Sequence, residues 1–352
     1  MELRSFSKAA YPLLSLLGFL GILSAVAPLQ ALDGAVRRTG EVARTSGKGP
    51  AKGFAPFDAG KLDFGVSVAG VESTYRVFAF YVMPGDTVDV VARSLSPSPS
   101  PSAKFVLTSK LGTTTLGRGR WRFKAPAAAG LYSMSVVREP ESESMTLNVF
   151  VLVPLTEVKD GKLGNYRIGE YPQVPLRGNP VYLPPRGVTK VTPGIAGTQV
   201  SPHFTLGQFL CKQEGSFPKY LVLREQLVLK LELLLEQFNQ SGFRADGFGF
   251  ISGYRTPYYN ALIENVPYSR HTWGDAADIY LDGDGDGRMD DLDGDGSSGA
   301  GDAVFFRDFV EQLSSKAWYR SFEGGLGDYP PNAAHGPFVH IDCRGFRARW
   351  SG

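Results

Sequence analysis

The chain has 352 residues, and its 37 Lys and Arg against 35 Asp and Glu leave a formal net charge of +2 at pH 7. This length is sufficient for two domains that each bury a hydrophobic core. The near-neutral charge argues against the strongly basic proteins that bind nucleic acid through its phosphates. We therefore expect no nucleic-acid partner, and we expect a monomer.

The N-terminus has the pattern of an export signal. Arg4 and Lys8 precede an apolar run over about residues 9–29, and a positive segment followed by an apolar one is typical of a secretory signal peptide. We predict a signal peptide over residues 1–31 and export to the periplasm or cell envelope. An uncleaved membrane anchor is the alternative, because roughly 20 apolar residues can span a bilayer.

Three segments with different compositions follow the signal. Residues 32–56 are rich in Gly, Ala, Arg and Lys, which indicates a flexible linker. Residues 57–156 contain short apolar runs separated by turns, which predicts a small β-sandwich. That segment has no His or Cys, so we expect a binding or spacer role with an unidentified partner. Residues 157–200 are rich in Pro and Gly and indicate an extended connector with room for one hairpin.

Helical signals are concentrated in the C-terminal part. Thr205 with Gln208 three residues later forms a capping box before a short helix. Apolar residues then recur at helical spacing from Tyr220 to Phe238, and Gly242 supplies a stop. A further helix is predicted over residues 304–313.

A histidine and a carboxylate lie seven residues apart in the next motif. His271 precedes Gly274, which permits a sharp turn, and residues 275–281 then read as a strand with Asp278 on its outer face. A loop histidine and a strand carboxylate can therefore converge on one metal ion. A catalytic zinc site normally uses three protein ligands and a water, so one more ligand is needed.

The third ligand is predicted near the C-terminus. Residues 338–342 read as a strand in which Val339 and Ile341 face the core, while His340 and Asp342 share the opposite face. Three of the four histidines in the chain lie between residues 271 and 340. The side-chain types fit zinc, which favours nitrogen and oxygen donors of this kind.

Four separated motifs resemble the zinc D-Ala-D-Ala peptidases of the M15 type. In chain order they are Ser252-Gly253-Tyr254-Arg255-Thr256, Ser269-x-His271-x-x-Gly274-x-Ala276-x-Asp278, Gly324-Gly325-Leu326-Gly327-x-Tyr329-Pro330 and Phe338-Val339-His340-Ile341-Asp342. The resemblance implies an α+β catalytic domain over residues 201–352, with the hedgehog/DD-peptidase fold of an antiparallel sheet and helices. It also implies a D,D-carboxypeptidase or endopeptidase that cuts peptidoglycan stem peptides or cross-links.

The resemblance further implies roles for individual residues. His271, Asp278 and His340 would bind zinc. Arg255 would hold the peptide carboxylate of the substrate, a task for which a guanidinium is suited because it binds carboxylates through two parallel hydrogen bonds. Ser269 would contribute to substrate binding.

The general base is less well defined. Many enzymes of the family carry an acidic residue three positions before the last zinc histidine, but here that position is Pro337, which performs no acid–base chemistry. His335 and Asp342 are the candidate catalytic residues, with His335 slightly preferred. Asp342 would otherwise orient a metal ligand. Asp328 and Glu323 are further candidates.

An aspartate-rich loop follows the first metal motif. Residues 282–293 match the calcium loop of an EF-hand, with a glycine at position 6 and Asp at position 12, where Glu is usual. The predicted calcium ligands are Asp282, Asp284, Asp286, the Arg288 carbonyl, Asp290 and Asp293. A second, overlapping set comprises Asp291, Asp293, Asp295, Gly296 and Asp302. We predict one or two calcium ions within residues 282–302.

The chain has two cysteines, Cys211 and Cys343. In an exported protein an even pair favours a disulfide, and two buried free thiols are the alternative.

Two other functional classes fit the same residues. One is a non-catalytic cell-wall-binding or adhesion protein. It would keep the zinc site but would have lost catalysis, because Pro337 replaces the acidic residue of the family. The other is a calcium-dependent structural module. An open metal coordination position would favour the enzyme over both.

Overall fold

The computed structural model describes residues 56–96 and 104–352. The predicted signal peptide, and the predicted linker except for its last residue, lie outside the described residues. No helix in the described ranges is both long and apolar enough to cross a bilayer.

Nine strands form two sheets in the described residues before position 152. They are β1 (Lys61–Val68), β2 (Val71–Tyr75), β3 (Val77–Val82), β4 (Thr87–Ser94), β5 (Lys104–Ser109), β6 (Thr113–Gly117), β7 (Arg120–Lys124), β8 (Gly130–Glu139) and β9 (Glu143–Val151). One sheet has the order β2-β1-β4-β7-β6 and the other β3-β9-β8-β5. Neighbouring strands run antiparallel except β3 and β9, which run parallel.

The two sheets share one hydrophobic core. Along β7, for example, buried and exposed residues alternate, which places Trp121 and Phe123 inside because successive side chains of a strand point to opposite faces. From the second sheet, Phe80 and Val149 enter the same cluster. Leu229, far along the chain, also packs there, so this core contacts the C-terminal part.

Short strands join the two parts of the chain. They are β10 (Val153–Pro154), β11 (Lys162–Leu163), β12 (Tyr166–Arg167), β13 (Gly187–Val191) and β14 (Lys219–Leu221). Strands β11 and β12 form a hairpin. Strand β13 pairs with β10 on one side and with β14 on the other. The predicted connector is therefore partly ordered as sheet, and the proposed boundaries at 57–156, 157–200 and 201–352 stay predictions.

The C-terminal part has a five-stranded sheet in the order β15-β16-β18-β17-β19. Its strands are β15 (Phe248–Ser252), β16 (Ala276–Leu281), β17 (Gly325–Tyr329), β18 (Phe338–Asp342) and β19 (Ala348–Ser351). The helices are α1 (Pro193–Ala196), α2 (Glu225–Gln240), α3 (Pro257–Leu262) and α4 (Ala300–Leu313). Short 3-10 turns occupy Leu155–Glu157, Leu176–Gly178, Pro180–Tyr182, Leu206–Phe209, Arg270–Trp273 and Ala317–Phe322.

One face of this sheet is apolar and packs against helices. Ile279 of β16 and Val339 of β18 share a core cluster with Leu231 of α2 and Phe306 of α4. Because side chains alternate along a strand, Asp278, which precedes Ile279, points away from that core. The polar face of the sheet is therefore left for the metal motif.

The predicted α+β fold class is wrong. Among the described residues, more residues lie in strands than in helices, and the strands are divided among five sheets. The main C-terminal sheet is also mixed rather than antiparallel, because β19 runs parallel to β17. The physical reason is the chain's content of 42 Gly and 24 Pro, which keeps most helical segments to one or two turns.

Two of the helix predictions are confirmed, and the start of a third is wrong. The capping box is confirmed, since the Thr205 backbone N–H donates to Gln208 Oε1 at 2.7 Å, and the helix at 304–313 lies within α4. The helix predicted from Tyr220 instead begins at Glu225. Residues 219–221 pair with β13, so their backbone groups are already used in a sheet.

Candidate metal centre

His271 is held in a tight turn that only a glycine can complete. The turn Arg270–Trp273 ends at Gly274, which has a φ of 71°, in the left-handed region that side chains avoid. A Cβ on Gly274 would lie 2.2 Å from the Val222 carbonyl oxygen. The His271 ring is fixed through Nδ1, which lies 2.6 Å from the Gly253 carbonyl oxygen. That contact makes Nδ1 the donor and leaves Nε2 free to bind a metal.

The other two candidate ligands lie on neighbouring strands. Asp278 of β16 and His340 of β18 are directly opposite in the antiparallel register, so their side chains project from the same face. Asp278 Oδ1 lies 2.9 Å from His340 Nδ1 and 3.1 Å from His271 Nε2. The two ring nitrogens are 3.1 Å apart. These three buried residues form a group that could hold a metal ion.

Each strand ligand is supported by a further polar contact. Asp278 Oδ2 accepts a 2.5 Å hydrogen bond from Arg255 Nη2. His340 Nε2 lies 3.1 Å from Asp342 Oδ2, so Nδ1 of that ring is the atom directed at the metal group. Asp342 is fully buried and is itself fixed by Arg344, whose Nη2 donates at 2.5 Å. Such supports orient metal ligands and hold them in the required tautomer.

The electrostatics of the group suit a metal. Burial opposes the charge of Asp278, but the facing His271 and His340 rings hold its pKa well below the usual range. Burial lowers the pKa of His271, which favours the neutral, metal-binding imidazole. Burial also opposes the charge of His340, yet its hydrogen bonds to Asp278 and Asp342 raise its pKa. Near neutral pH the group thus offers a carboxylate and at least one neutral imidazole.

The residues predicted to bind substrate have other partners here. Arg255 is nearly buried and donates to Ser252 Oγ at 2.9 Å as well as to Asp278. Ser269 is buried, and its carbonyl oxygen accepts a hydrogen bond from Thr272 Oγ1 at 2.8 Å. Ser269 therefore builds the turn before His271. The role of Arg255 towards a substrate stays a prediction.

The candidate bases are also separated by the fold. His335 lies on the exposed loop before β18, where its ring contacts Asn332 and Phe338. Asp342 has both carboxylate oxygens occupied and is buried, which fits the orienting role better than the base. Asp328 points to the opposite face of the sheet and pairs with Arg307 of α4 at 2.6 Å. Among the described residues, no hydrogen bond links His335 to the metal group.

Sequence reasoning missed Trp350. Register places His340, Gly327 and Trp350 side by side across β18, β17 and β19. The centroid of the Trp350 ring system lies 5.1 Å from that of His340, and a Cβ on Gly327 would be 2.3 Å from Trp350 Nε1. Arg344 was missed as well. The available signal was the Gly324-Gly325-x-Gly327 spacing, which clears room above the strand.

The aspartate loop forms two groups rather than one. Asp282, Asp284 and Asp290 converge in the first group, and Asp291, Asp293 and Asp302 converge in the second. Asp293 lies with Asp291 and Asp302 rather than with Asp282, and the set of calcium ligands stays a prediction. Asp302 reaches the second group because it lies in the first turn of α4, where its carboxylate accepts the Leu292 and Gly299 backbone N–H groups.

The two halves of the loop repeat the same geometry nine residues apart. Gly287 N donates to Asp282 Oδ2 at 3.1 Å, and Gly296 N donates to Asp291 Oδ2 at 2.9 Å. Asp286 and Arg288 of the predicted set are exposed, and the Asp286 carboxylate accepts the Arg288 backbone N–H.

The carboxylates of the first group have an unfavourable electrostatic environment. Asp282 Oδ1 is buried and has no hydrogen-bond partner within the described residues. Burial raises the pKa of Asp290 to about 6. A hydrogen bond from Gly283 N opposes this shift, and the charges of Asp284, Asp282 and Asp286 reinforce it. Both features follow from gathering several carboxylates in a partly buried site, where each disfavours the ionised form of the others.

The predicted disulfide is absent, because both cysteines are free thiols. Cys211 Sγ lies 3.8 Å from Gln213 Oε1. Cys343 is surrounded by other groups, including Lys230 and Asp275. The two residues belong to different environments, so the alternative of free thiols holds. Burial raises the pKa of Cys343 to about 12, which makes it an unreactive thiol.

Comparisons with known proteins leave the family open. No protein-family model matches the chain. No curated protein matches it either. A nucleoside hydrolase-related protein from Saccharophagus degradans aligns over 26% of this chain and 26% of its own length, with 12% identity and a TM-score of 0.20. The Yersinia pseudotuberculosis adhesin InvE aligns over 26% of this chain and 28% of its own, with 19% identity and a TM-score of 0.18. Likenesses this weak carry no argument about function.

Proposed function

We propose that the protein is an exported, zinc-dependent peptidase that hydrolyses stem peptides or cross-links of peptidoglycan. The observation that carries the proposal is the buried convergence of His271, Asp278 and His340 from one turn and two strands. Two histidines and one carboxylate are a common ligand set for catalytic zinc. The choice of substrate rests on the resemblance of four motifs to the M15 peptidases, and the choice of compartment rests on the N-terminal signal.

The residues of the chain would divide the work as follows. His271, Asp278 and His340 hold the ion, which when bound supplies Lewis acidity to activate water and polarise the scissile carbonyl. Asp342 keeps the His340 ring oriented. Arg255 neutralises Asp278, so a divalent ion there leaves net positive charge at the site, and this favours a substrate that carries a carboxylate.

His335 is the proposed proton-transfer residue. It is the titratable side chain on the loop that leads into β18, and its ring Nε2 lies 2.8 Å from Asn332 Nδ2. It is half-buried on an exposed loop, which leaves part of the ring accessible to water. A histidine side chain can serve as a general acid or base near neutral pH.

We assign calcium to the two aspartate groups. Each gathers three carboxylates on a loop whose glycines turn the backbone around the site, and hard oxygen donors of this kind select calcium. The buried and unpartnered Asp282 Oδ1 supports the first site. The two ions would order the segment between β16 and α4.

A non-catalytic wall-binding protein is the second candidate. It is favoured by Pro337 in the place of the family's acidic residue and by the hydrogen bond that already occupies Arg255. In this case zinc would be structural and peptidoglycan would be bound but not cut.

Digestion of purified peptidoglycan, with the products identified by mass spectrometry, separates the two candidates. The enzyme is expected to release alanine or uncoupled stem peptides when loaded with zinc and to release none after chelation. Cosedimentation with peptidoglycan without any new product would establish the binder instead. Absence of both binding and products would refute the substrate assignment.

A further inference from the structure

The first part of the chain contains a long segment of one charge sign. From Val90 to Arg138 the sequence has no Asp or Glu, but it has eight basic residues, namely Arg93, Lys104, Lys110, Arg118, Arg120, Arg122, Lys124 and Arg138. The whole chain is nearly neutral, with 37 basic and 35 acidic residues. The excess is therefore local, and it falls on strands β4 to β8.

Half of these basic residues are neutralised by carboxylates from outside the segment. The pairs are Arg93 with Glu72, Lys104 with Glu139, Arg122 with Asp89, and Arg138 with Glu143. Within the described ranges, no ion pair is found for Lys110, Arg118, Arg120 or Lys124. These four side chains are all exposed. No ion pair therefore accounts for their charge, and Arg120 has only a longer-range attraction to Asp89.

Strand β7 arranges the charges in a row. Its exposed positions are Arg120, Arg122 and Lys124, which alternate with the buried Trp121 and Phe123. Alternate residues of a strand lie about 6.6 Å apart on one face. Arg118 in the preceding turn extends the row, and we call Arg118, Arg120, Arg122 and Lys124 the basic stripe.

The stripe is open on one side. Strand β6 is the edge of the sheet, and all five of its residues are exposed. Its register places Thr114 beside Arg122 and Thr115 beside Trp121. Because opposite residues of an antiparallel pair share a face, Thr114 places its hydroxyl beside the stripe, whereas Thr115 lies on the face of Trp121. On the other side, β4 supplies a single carboxylate, Asp89.

A row of exposed basic residues, three of which (Arg118, Arg120 and Lys124) have no ion pair in the described ranges, fits an extended ligand with repeated negative charges. Like charges at this spacing repel one another, and a polyanion that displaces their counter-ions relieves this repulsion. We propose that this face binds an anionic polysaccharide, whose carboxylates meet the stripe while a sugar hydroxyl bonds to Thr114 of β6.

The surroundings argue against two other polyanions. Proteins that bind single-stranded nucleic acid stack its bases on aromatic side chains, but Trp121 and Phe123 of this strand are turned into the core. An anionic membrane surface would also require apolar residues that insert, and on β6 and β7 the exposed large apolar residue is Leu116 alone.

The stripe does not depend on the metal centre, and the inference holds whether or not the protein is a peptidase. If it is one, the stripe would retain it near an acidic polymer of the envelope. Hydrolysis of a soluble peptide should then be unaffected by changes in the stripe, so the two proposals can fail separately.

The test compares the full-length protein with a charge-reversed variant, Arg120→Glu/Lys124→Glu. Binding to polygalacturonate is measured at about 50 mM and about 300 mM salt, because screening weakens such contacts. We expect binding at low salt that falls at high salt, and a loss of roughly tenfold to a hundredfold in the variant. The matched control, Lys159→Glu/Lys162→Glu, reverses two exposed lysines of the β11–β12 region and should bind within about twofold of the unaltered protein.

Three further ligands define the partner class. Neutral dextran of similar length should not bind. Single-stranded DNA and phosphatidylglycerol vesicles should bind more weakly than polygalacturonate. The proposal is overturned if polygalacturonate fails to bind at low salt, if the charge-reversed variant binds as well as its control, or if DNA or vesicles are preferred.

Discussion

The metal group and the aspartate loop both gather side chains that could bind a metal. They differ in which protein groups hold those side chains in position. In the metal group, each residue has a support outside the group: the Gly253 carbonyl for His271, Arg255 for Asp278 and Asp342 for His340. In the loop, the carboxylates are held mainly by backbone N–H groups of the same loop. The first arrangement is prepared by the sheet, whereas the second is set by the backbone of the loop itself.

The largest effect is expected from removing a metal ligand. His340→Ala should lose bound zinc and all hydrolysis while the protein stays folded, because the sheet core behind the residue is unchanged. Zinc content by elemental analysis and product release from peptidoglycan provide the measurements. His335→Ala is the control: it should keep full zinc content and lose only turnover. Full zinc occupancy in His340→Ala would remove that residue from the ligand set.

Calcium removal should affect stability more than chemistry. An ion that binds only the folded state stabilises it by about 2.7 kcal/mol at a concentration 100 times its dissociation constant. The thermal midpoint should therefore rise on adding calcium to chelator-treated protein. Asp284→Asn should reduce the rise, while Asp246→Asn, an exposed aspartate outside the loop, should not. A midpoint that is the same with chelator and with calcium would contradict the assignment.

A smaller effect is expected from the support of His340. Asp342→Asn should weaken zinc binding by roughly 10- to 100-fold, because loss of such a partner frees the ligand ring to reorient. Competition with a chromogenic chelator measures the affinity. Asp328→Asn is the matched control, since Asp328 is a buried carboxylate of the same sheet that pairs with Arg307 on the opposite face. Equal zinc affinities in the two variants would show that Asp342 has no orienting role.

The smallest effect concerns His203, a half-buried histidine that lies outside the metal group. His203 Nδ1 lies 2.6 Å from Glu232 Oε2. Burial opposes its charge, but the hydrogen bond to Glu232 raises the pKa of His203 above the ordinary value. A raised folded-state pKa means that the folded state binds more protons, so this contribution to stability is present below about pH 6.5 and is lost as the pH rises through the raised value.

His203→Gln tests this sign. The unaltered protein should lose more of its thermal midpoint between about pH 5.5 and about pH 8.5 than the variant does, because only the former carries the titrating ring. An identical pH dependence in both would mean that the pair does not contribute to stability.

The candidate ligands could be predicted from sequence because their chemistry and spacing are local. His271, Gly274 and Asp278 lie within eight residues, and alternation along a strand predicts which side of β18 carries His340. The glycine was a firm indicator, since its φ of 71° and the nearby Val222 carbonyl leave no room for a side chain. The capping box at Thr205 was equally local.

The features that could not be predicted from sequence depend on contacts between distant segments. The start of α2 shifted because residues 219–221 pair with β13, and no local pattern records which strand will arrive. The position of α4 likewise decides that Asp302 lies beside Asp291 and Asp293.

The sequence by itself determined which residues can bind a metal and which strand faces carry them, because side-chain type and strand alternation are properties of short segments. The tertiary structure alone decided that Asp342 contacts the His340 ring, that Trp350 covers Gly327 beside that ring, and that Cys211 and Cys343 stay apart. Each of these depends on which strands become neighbours in a sheet. That choice is made by the packing of the whole core, and it cannot be read from any one stretch of the chain.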